Sequence, residues 1–251
     1  LRPGLMRVLV TRAEPEAGRT AALLAARGHE ALVAPLLTPR PVAAAIPRDG
    51  LAAVVVTSPR TVRMMEAGSL PALRVLPTFA VGDRTAAALG DAGFADIRSA
   101  AGDVRALARL IGAAGLPAGS TLVHPGGEQR AGDLGAALRE YGLNLVSPVV
   151  YRMESATALP DCAHAALAAG TLDAVLHYSP RSARVFADLA VAGGIADAAL
   201  RPLHACLSPA VAAALEPLGA PSVVIAAHPD EPALLDALAA RSGLRGGAPA
   251  R

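Results

Sequence analysis

Short apolar runs alternate along this chain with stretches in which apolar residues recur every three or four positions. Val8-Leu9-Val10, Val54-Val55-Val56 and Ala174-Val175-Leu176 read as buried strands, and the periodic stretches between such runs read as amphipathic helices. One block occurs twice: LAAVVVTSPRTVRMM begins at Leu51 and LDAVLHYSPRSARVF begins at Leu172. Each copy is an apolar run, then Ser-Pro-Arg, then a helical pattern. Ser58 and Ser179 are placed as N-caps, with Pro59 and Pro180 at the first helical position, where a missing N–H costs nothing. A strand that runs straight into a capped helix turns unpaired amides and a positive dipole end outward, a ready site for an anion.

The repetition continues. VGDRTAAAL from Val81 matches LSPAVAAAL from Leu207, and AGDVRALARLI from Ala101 resembles AHPDEPALLDALA from Ala227. VLVTR (Val8–Arg12), a helical stretch, Gly28 and ALVAPL resemble TLVHPGGEQR from Thr121, a helical stretch, Gly142 and LNLVSPVV. Gly28 and Gly142 stand where helices should end. Strand–helix alternation throughout predicts α/β architecture: two similar parallel-sheet α/β domains, flavodoxin-like and bilobed, joined by a two-stranded linker. The first domain is expected to be discontinuous, residues 1–38 plus 153–251, with the second inserted at 40–150. The linkers fall at about 36–42 and 147–153, and two such strands imply a hinge and a cleft of variable width. The Gly/Pro/Arg-rich tail, 242–251, is expected to be disordered.

Composition narrows the functions. At 251 residues and 53% hydrophobic content the chain can fill two cores. Trp is absent, with 3 Tyr and 3 Phe, which argues against stacking on single-stranded nucleic acid, and a net charge of +2 is too small for nonspecific nucleic-acid binding. No apolar run reaches membrane-spanning length, and Leu1–Gly4 lacks a signal-peptide core, so a cytoplasmic location is expected. Every basic residue is arginine. That excludes a Schiff-base lysine, a pyridoxal anchor and a P-loop lysine, and leaves guanidinium groups and backbone amides to hold any anion. Cys162 and Cys206 are isolated and the six histidines are scattered, so neither a disulfide nor a metal site is expected.

Candidate chemistry collects at the strand ends. Ser58 and Ser179 lie outside any G-x-S-x-G pattern and read as caps. Gly126-Gly127-Glu128 sits in a strand-to-helix turn without the G-x-G-x-x-G fingerprint. Gly82 would let a ligand approach the backbone, and Thr85, one turn on, adds a hydroxyl; their counterparts in the repeat are Ser208 and Val211. Tyr151 ends the second linker and can present its phenol. Arg12, Arg60, Arg130 and Arg181 fall at or just past strand C-terminal ends, where open α/β sheets bind ligands. Together they would suit a multiply anionic ligand.

These segments, in this order over about residues 6–241, resemble the uroporphyrinogen-III synthase family. The matching elements include VLVTR, VTSPR, AVGDRTAAAL, HPGGEQRAGDL, VVYR, HYSPRSA, CLSPAVAAAL and HPDEPALLDAL. The resemblance implies a bilobed fold with its active site between the domains. It also implies a lyase of tetrapyrrole and haem synthesis that cyclises hydroxymethylbilane, a linear tetrapyrrole with eight carboxylates, with inversion of the last pyrrole ring and loss of water. It implies a monomer acting without cofactor or metal, with no nucleic-acid or membrane partner and with transient contact to the preceding pathway enzyme. Closure without the enzyme gives the non-inverted isomer in the family's usual account, so the task is largely one of orientation; a 100:1 product bias needs only about 2.7 kcal/mol. By the resemblance Tyr151 matches the linker tyrosine proposed to protonate the leaving hydroxyl. Arg12, Ser58, Gly82, Thr85, Arg130, Ser179 and Ser208 would contact substrate. Val211 stands where many members have threonine, so a hydroxyl contact there is missing. A second reading stays open: a non-enzymatic two-lobed protein that closes on a small anionic ligand.

Overall fold

The computed structural model of the chain describes residues 4–47, 49–65, 70–130, 132–219 and 221–245. In chain order β1 (Arg7–Val10), α1 (Glu16–Ala26), β2 (Glu30–Val33) and β3 (Leu37–Pro41) come first. Then follow β4 (Leu51–Val56), α2 (Pro59–Met64), α3 (Leu70–Arg74), β5 (Thr78–Ala80), α4 (Asp83–Asp91), β6 (Ile97–Ser99) and α5 (Val104–Gly112). The middle of the chain continues with β7 (Thr121–Val123), β8 (Gly126–Gly127), α6 (Leu134–Arg139), β9 (Asn144–Val146) and β10 (Val149–Ser155). Last come α7 (Asp161–Ala168), β11 (Ala174–His177), α8 (Pro180–Ala192), α9 (Ala196–Leu200), β12 (Leu203–Cys206), α10 (Pro209–Ala213), β13 (Val223–Ile225) and α11 (Glu231–Arg245).

Contacts divide the chain into two compact units, Leu1–Thr38 with Glu154–Arg251, and Pro39–Met153. The first holds a parallel sheet ordered β13-β12-β11-β1-β2, which in chain order is the flavodoxin arrangement. The second holds a parallel sheet ordered β6-β5-β4-β7-β9. Matching β4-β5-β6 to β11-β12-β13, and β7-β9 to β1-β2, makes the two orders identical. The second unit is therefore a circular permutation of the first, which explains why the repeated segments fall into two sets along the sequence. β3, β10 and β8 form a separate three-stranded sheet.

Alternate residues of the central strands face opposite sides, and both sides are covered, as a parallel sheet requires. In the first unit Leu9, Val175 and Cys206 join one apolar cluster while Val8, Val10, Ala174 and Leu176 join the other. Val54, Val56 and Val123 against Val55, Phe79 and Leu122 do the same in the second. Ser58 caps α2 and Ser179 caps α8, each with proline directly after it. Gly28 and Gly142 adopt φ of 79° and 69°, and each closes its helix end, with His29 N–H donating to Leu24 O and Leu143 N–H to Leu138 O. The expected disordered tail is corrected in part: α11 continues through Arg245, because Ser242 to Arg245 extend its final turn, and residues 246–251 lie outside the described residues.

Candidate functional site

The strand-end edge of the second unit encloses a cavity of about 510 Å³. β4 delivers Thr57 and Ser58 to it, β7 and β8 deliver His124, Gly126 and Gly127, and β10 delivers Tyr151. Ser58 Oγ accepts from the Arg60 amide at 3.2 Å. Asp103 and Asp133, also at the cavity, cap α5 and α6 by accepting at 2.8 Å from the amides of Ala106 and Ala136. The Ala106 amide holds the Asp103 carboxyl below its ordinary pKa. Thr61 Oγ1 is buried at the cavity wall without a hydrogen-bond partner among the described residues, an atom that water or ligand would satisfy.

Tyr151 owes its seat to register. β10 and β8 pair in parallel with a shift between Val149 and Tyr151, which sets Tyr151 opposite Gly127. A Cβ on residue 127 would stand 2.7 Å from Cζ of the ring and 2.9 Å from the phenol oxygen. Only glycine leaves that space, so the phenol end lies against bare backbone with the side chain 8% exposed at the cavity.

Arg130 has all five guanidinium N–H groups engaged. Nε donates to Gly127 O at 3.1 Å, Nη1 to His124 O at 2.8 Å, and Nη2 to Ser147 O at 3.1 Å and Pro148 O at 2.9 Å. The remaining Nη1 hydrogen meets His124 Nδ1 at 3.1 Å. Burial lowers the Arg130 pKa from its ordinary value, with Tyr151 acting in the opposite sense. His124 places Nε2 3.0 Å from Thr57 Oγ1. Burial first, and then the Arg130 charge, push its pKa down to about 4, so the imidazole is neutral near pH 7. The cavity thus offers hydroxyls, helix-terminal amides, a phenol and one fixed guanidinium charge for oxyanions, and two carboxylates for N–H donors.

The other expected residues lie elsewhere. Gly82 caps α4 in open space, next to Val81 at the cavity, while Thr85 is buried at 3% exposure. Arg12, Ser179 and Ser208 follow β1, β11 and β12 on the strand-end edge of the first unit. Arg12 Nη1 pairs with Glu231 Oε1 at 2.9 Å, and its guanidinium carbon lies 4.0 Å from the Tyr178 ring centroid. Glu231 Oε1 also accepts from Tyr178 at 2.8 Å and Thr20 at 2.5 Å. Burial pushes the Tyr178 phenol pKa up. Ser179 Oγ accepts from Ser182 N at 3.2 Å and Ser208 Oγ from Val211 N at 3.4 Å. Val211 packs in the core at 2% exposure. Sequence reasoning passed over His124 and Thr57. The signal available was their place: His124 directly follows β7, and Thr57 separates β4 from its Ser-Pro-Arg.

Among the described residues no group of three or more His, Cys, Asp or Glu side chains could hold a metal ion, and no helix is long and apolar enough to cross a membrane. Two doubly wound units, one of them with a polar cavity at its strand-end edge, define an α/β protein of the flavodoxin-like kind. Uroporphyrinogen-III synthetase from Helicobacter pylori 26695 is similar in structure, with a TM-score of 0.61 and 15% identity over 94% of this chain and 100% of that one. Its likeness shows the fold. A mutant uroporphyrinogen III synthase from the extremely thermophilic bacterium Thermus thermophilus aligns at 21% identity over 96% of this chain and 99% of that one, TM-score 0.48. No curated protein matches the sequence. The family model described as Uroporphyrinogen-III synthase HemD matches residues 18–236. The chain belongs to the uroporphyrinogen-III synthase family, enzymes of tetrapyrrole synthesis.

Proposed function

We propose that this chain converts hydroxymethylbilane to uroporphyrinogen III with inversion of the last pyrrole ring and loss of one water, and that its two units act as the domains of that enzyme. Tyr151 is the residue assigned to protonate the departing hydroxyl. In this reading the first ring loses its hydroxyl as water by taking the Tyr151 proton, which leaves an electrophilic azafulvenium methylene and the Tyr151 phenolate. The fourth ring attacks through the carbon that already carries its bridge, giving a spiro centre. That centre breaks its older bond and recloses through the free α-carbon, and the proton lost there restores the phenol. Over the whole sequence the C–O bond, the older bridge bond and one α-carbon C–H bond break, two C–C bonds and one O–H bond of water form, and the balance is substrate to product plus water.

Orientation decides between isomers, and the contacts proposed for it are Ser58, Gly82, Thr85 and Arg130 in the second unit and Arg12, Ser179 and Ser208 in the first. Arg130 enters this set with its N–H groups already engaged, so its contribution to an oxyanion is its charge and the amides of the loop it braces. The observation that carries the reading is the Tyr151 phenol, lodged against Gly127 in a cavity that also holds the Thr57 and Ser58 hydroxyls. Action as a cytoplasmic monomer without cofactor, with transient contact to the preceding pathway enzyme, belongs to the same proposal. Supplying freshly made hydroxymethylbilane and resolving the oxidised products by chromatography tests it: the type III isomer is expected, and type I alone overturns it.

A further inference from the structure

A guanidinium can only donate hydrogen bonds, so its contact with an imidazole nitrogen fixes which nitrogen is bare. Arg130 Nη1 lies 3.1 Å from His124 Nδ1, and the other four guanidinium N–H groups are held by backbone carbonyls of His124, Gly127, Ser147 and Pro148. The guanidinium is thereby locked in place, and Nδ1 must be the accepting nitrogen. The ring proton of neutral His124 then sits on Nε2, which faces Thr57 Oγ1 at 3.0 Å. Thr57 must accept at that contact. A hydroxyl that accepts from one side keeps its own O–H to give on another, and Thr57 is half-buried at the cavity that also holds Tyr151.

We infer that Arg130 and His124 are positioning residues that hold Thr57 as a hydrogen-bond donor toward a substrate carboxylate in this cavity. The inference rests on the proposed synthase reading for the identity of the ligand. It gives Arg130 a role different from direct substrate contact: its N–H groups orient a neighbour, and Thr57 makes the contact. The chain of donors runs one way, from guanidinium to imidazole to hydroxyl to carboxylate. A bare hydroxyl in water would rotate freely among acceptors, whereas this one is polarised before the ligand arrives.

Steady-state kinetics of the full chain with hydroxymethylbilane test the contact. Thr57→Val is expected to raise KM about tenfold or more, with kcat changed far less, and Thr57→Ser to restore it, in line with hydrogen bonds to charged groups. His124→Leu is expected to raise KM similarly, and the double variant no further, because both changes remove one donor chain. An unchanged KM in Thr57→Val, or effects that multiply, overturns the inference. Nitrogen-15 spectra of the unaltered protein test the tautomer regardless of how the variants fold: a protonated Nε2 and bare Nδ1 are expected for His124, and the reverse overturns it. Porphobilinogen, a pyrrole bearing one acetate and one propionate, supplies a readout independent of turnover. It should shift the His124 Nε2 resonance in the unaltered protein and not in Thr57→Val. Absence of type III product together with that shift would remove the synthase reading and keep the donor chain; type III product without the shift would do the opposite.

Discussion

The phenol end of Tyr151 occupies the space that a side chain on residue 127 would need, with Cζ 2.7 Å from the position of a Cβ there. Gly127→Ala therefore has to move a buried ring or the strand opposite it. A cost of about 1–3 kcal/mol is expected from overpacking, along with a fall in kcat as the phenol is displaced. Gly82→Ala is the control for stability alone, since nothing lies within 4 Å of its Cβ and its φ of −165° suits any residue. Thermal melts on both variants and initial rates on Gly127→Ala decide this, and an unperturbed Gly127→Ala would mean the ring has room to spare.

Removing the hydroxyl alone separates chemistry from packing. Tyr151→Phe keeps the ring against Gly127 and deletes the proton that the proposed mechanism gives to the leaving group. Turnover should fall by about 10²-fold or more, in the range for loss of a general acid, while affinity for product changes much less. A rate equal to that of the unaltered protein would show that the phenol is structural.

Arg130 joins three stretches of the second unit through carbonyls of His124, Gly127, Ser147 and Pro148. Arg130→Met removes the guanidinium donors from these carbonyls, of which Pro148 O keeps the Gly126 amide at 3.2 Å, and a loss of about 2–4 kcal/mol is expected in urea unfolding. Arg130→Lys should recover only part of it, because an ammonium has three donors and cannot span the same fork. Full recovery with lysine would mean that charge alone matters.

His177 and His204 form a buried pair in the first unit, with His177 Nε2 and His204 Nδ1 3.0 Å apart and His204 Nε2 2.9 Å from Ala199 O. Burial lowers both pKa values, that of His177 well below 6.5. The unfolded chain binds protons at these sites more readily than the folded one. Their contribution is thus present above the unfolded pKa of about 6.5 and lost as pH falls below it, at up to about 1.4 kcal/mol per pH unit for each histidine that stays neutral in the fold. His124, with its pKa pushed down to about 4, adds to the same slope in the second unit. Urea midpoints measured from pH 7.5 to 5 should decline, and His177→Leu should flatten the decline; an equally steep line in that variant would assign the acid sensitivity elsewhere.

Local pattern carried a large part of this protein. A strand, a serine cap, a proline and a periodic helix are all set by neighbours within a few positions, so the twin Ser-Pro-Arg blocks are legible in the sequence. So were the glycines that end α1 and α6, since a left-handed residue at a helix end is a short-range requirement. Two kinds of repeat in the sequence also foreshadowed two sheets with one strand order.

What the chain order concealed was the fate of individual polar side chains. By its place past a strand end Arg130 suits an anionic ligand; its partners at Ser147 and Pro148 arrive on the link between β9 and β10. Arg12 is placed alike, and its carboxylate, Glu231, comes from the far end of the sequence. Thr85 reads as a ligand position, and only the fold shows that it is buried to 3% exposure. Such outcomes follow from which backbones the sheet register brings together, and hydrogen bonds act over about 3 Å, a distance that sequence spacing does not encode. Apolar periodicity and capping determined the elements; packing alone decided that Tyr151 faces Gly127 and that His124 stands between Arg130 and Thr57.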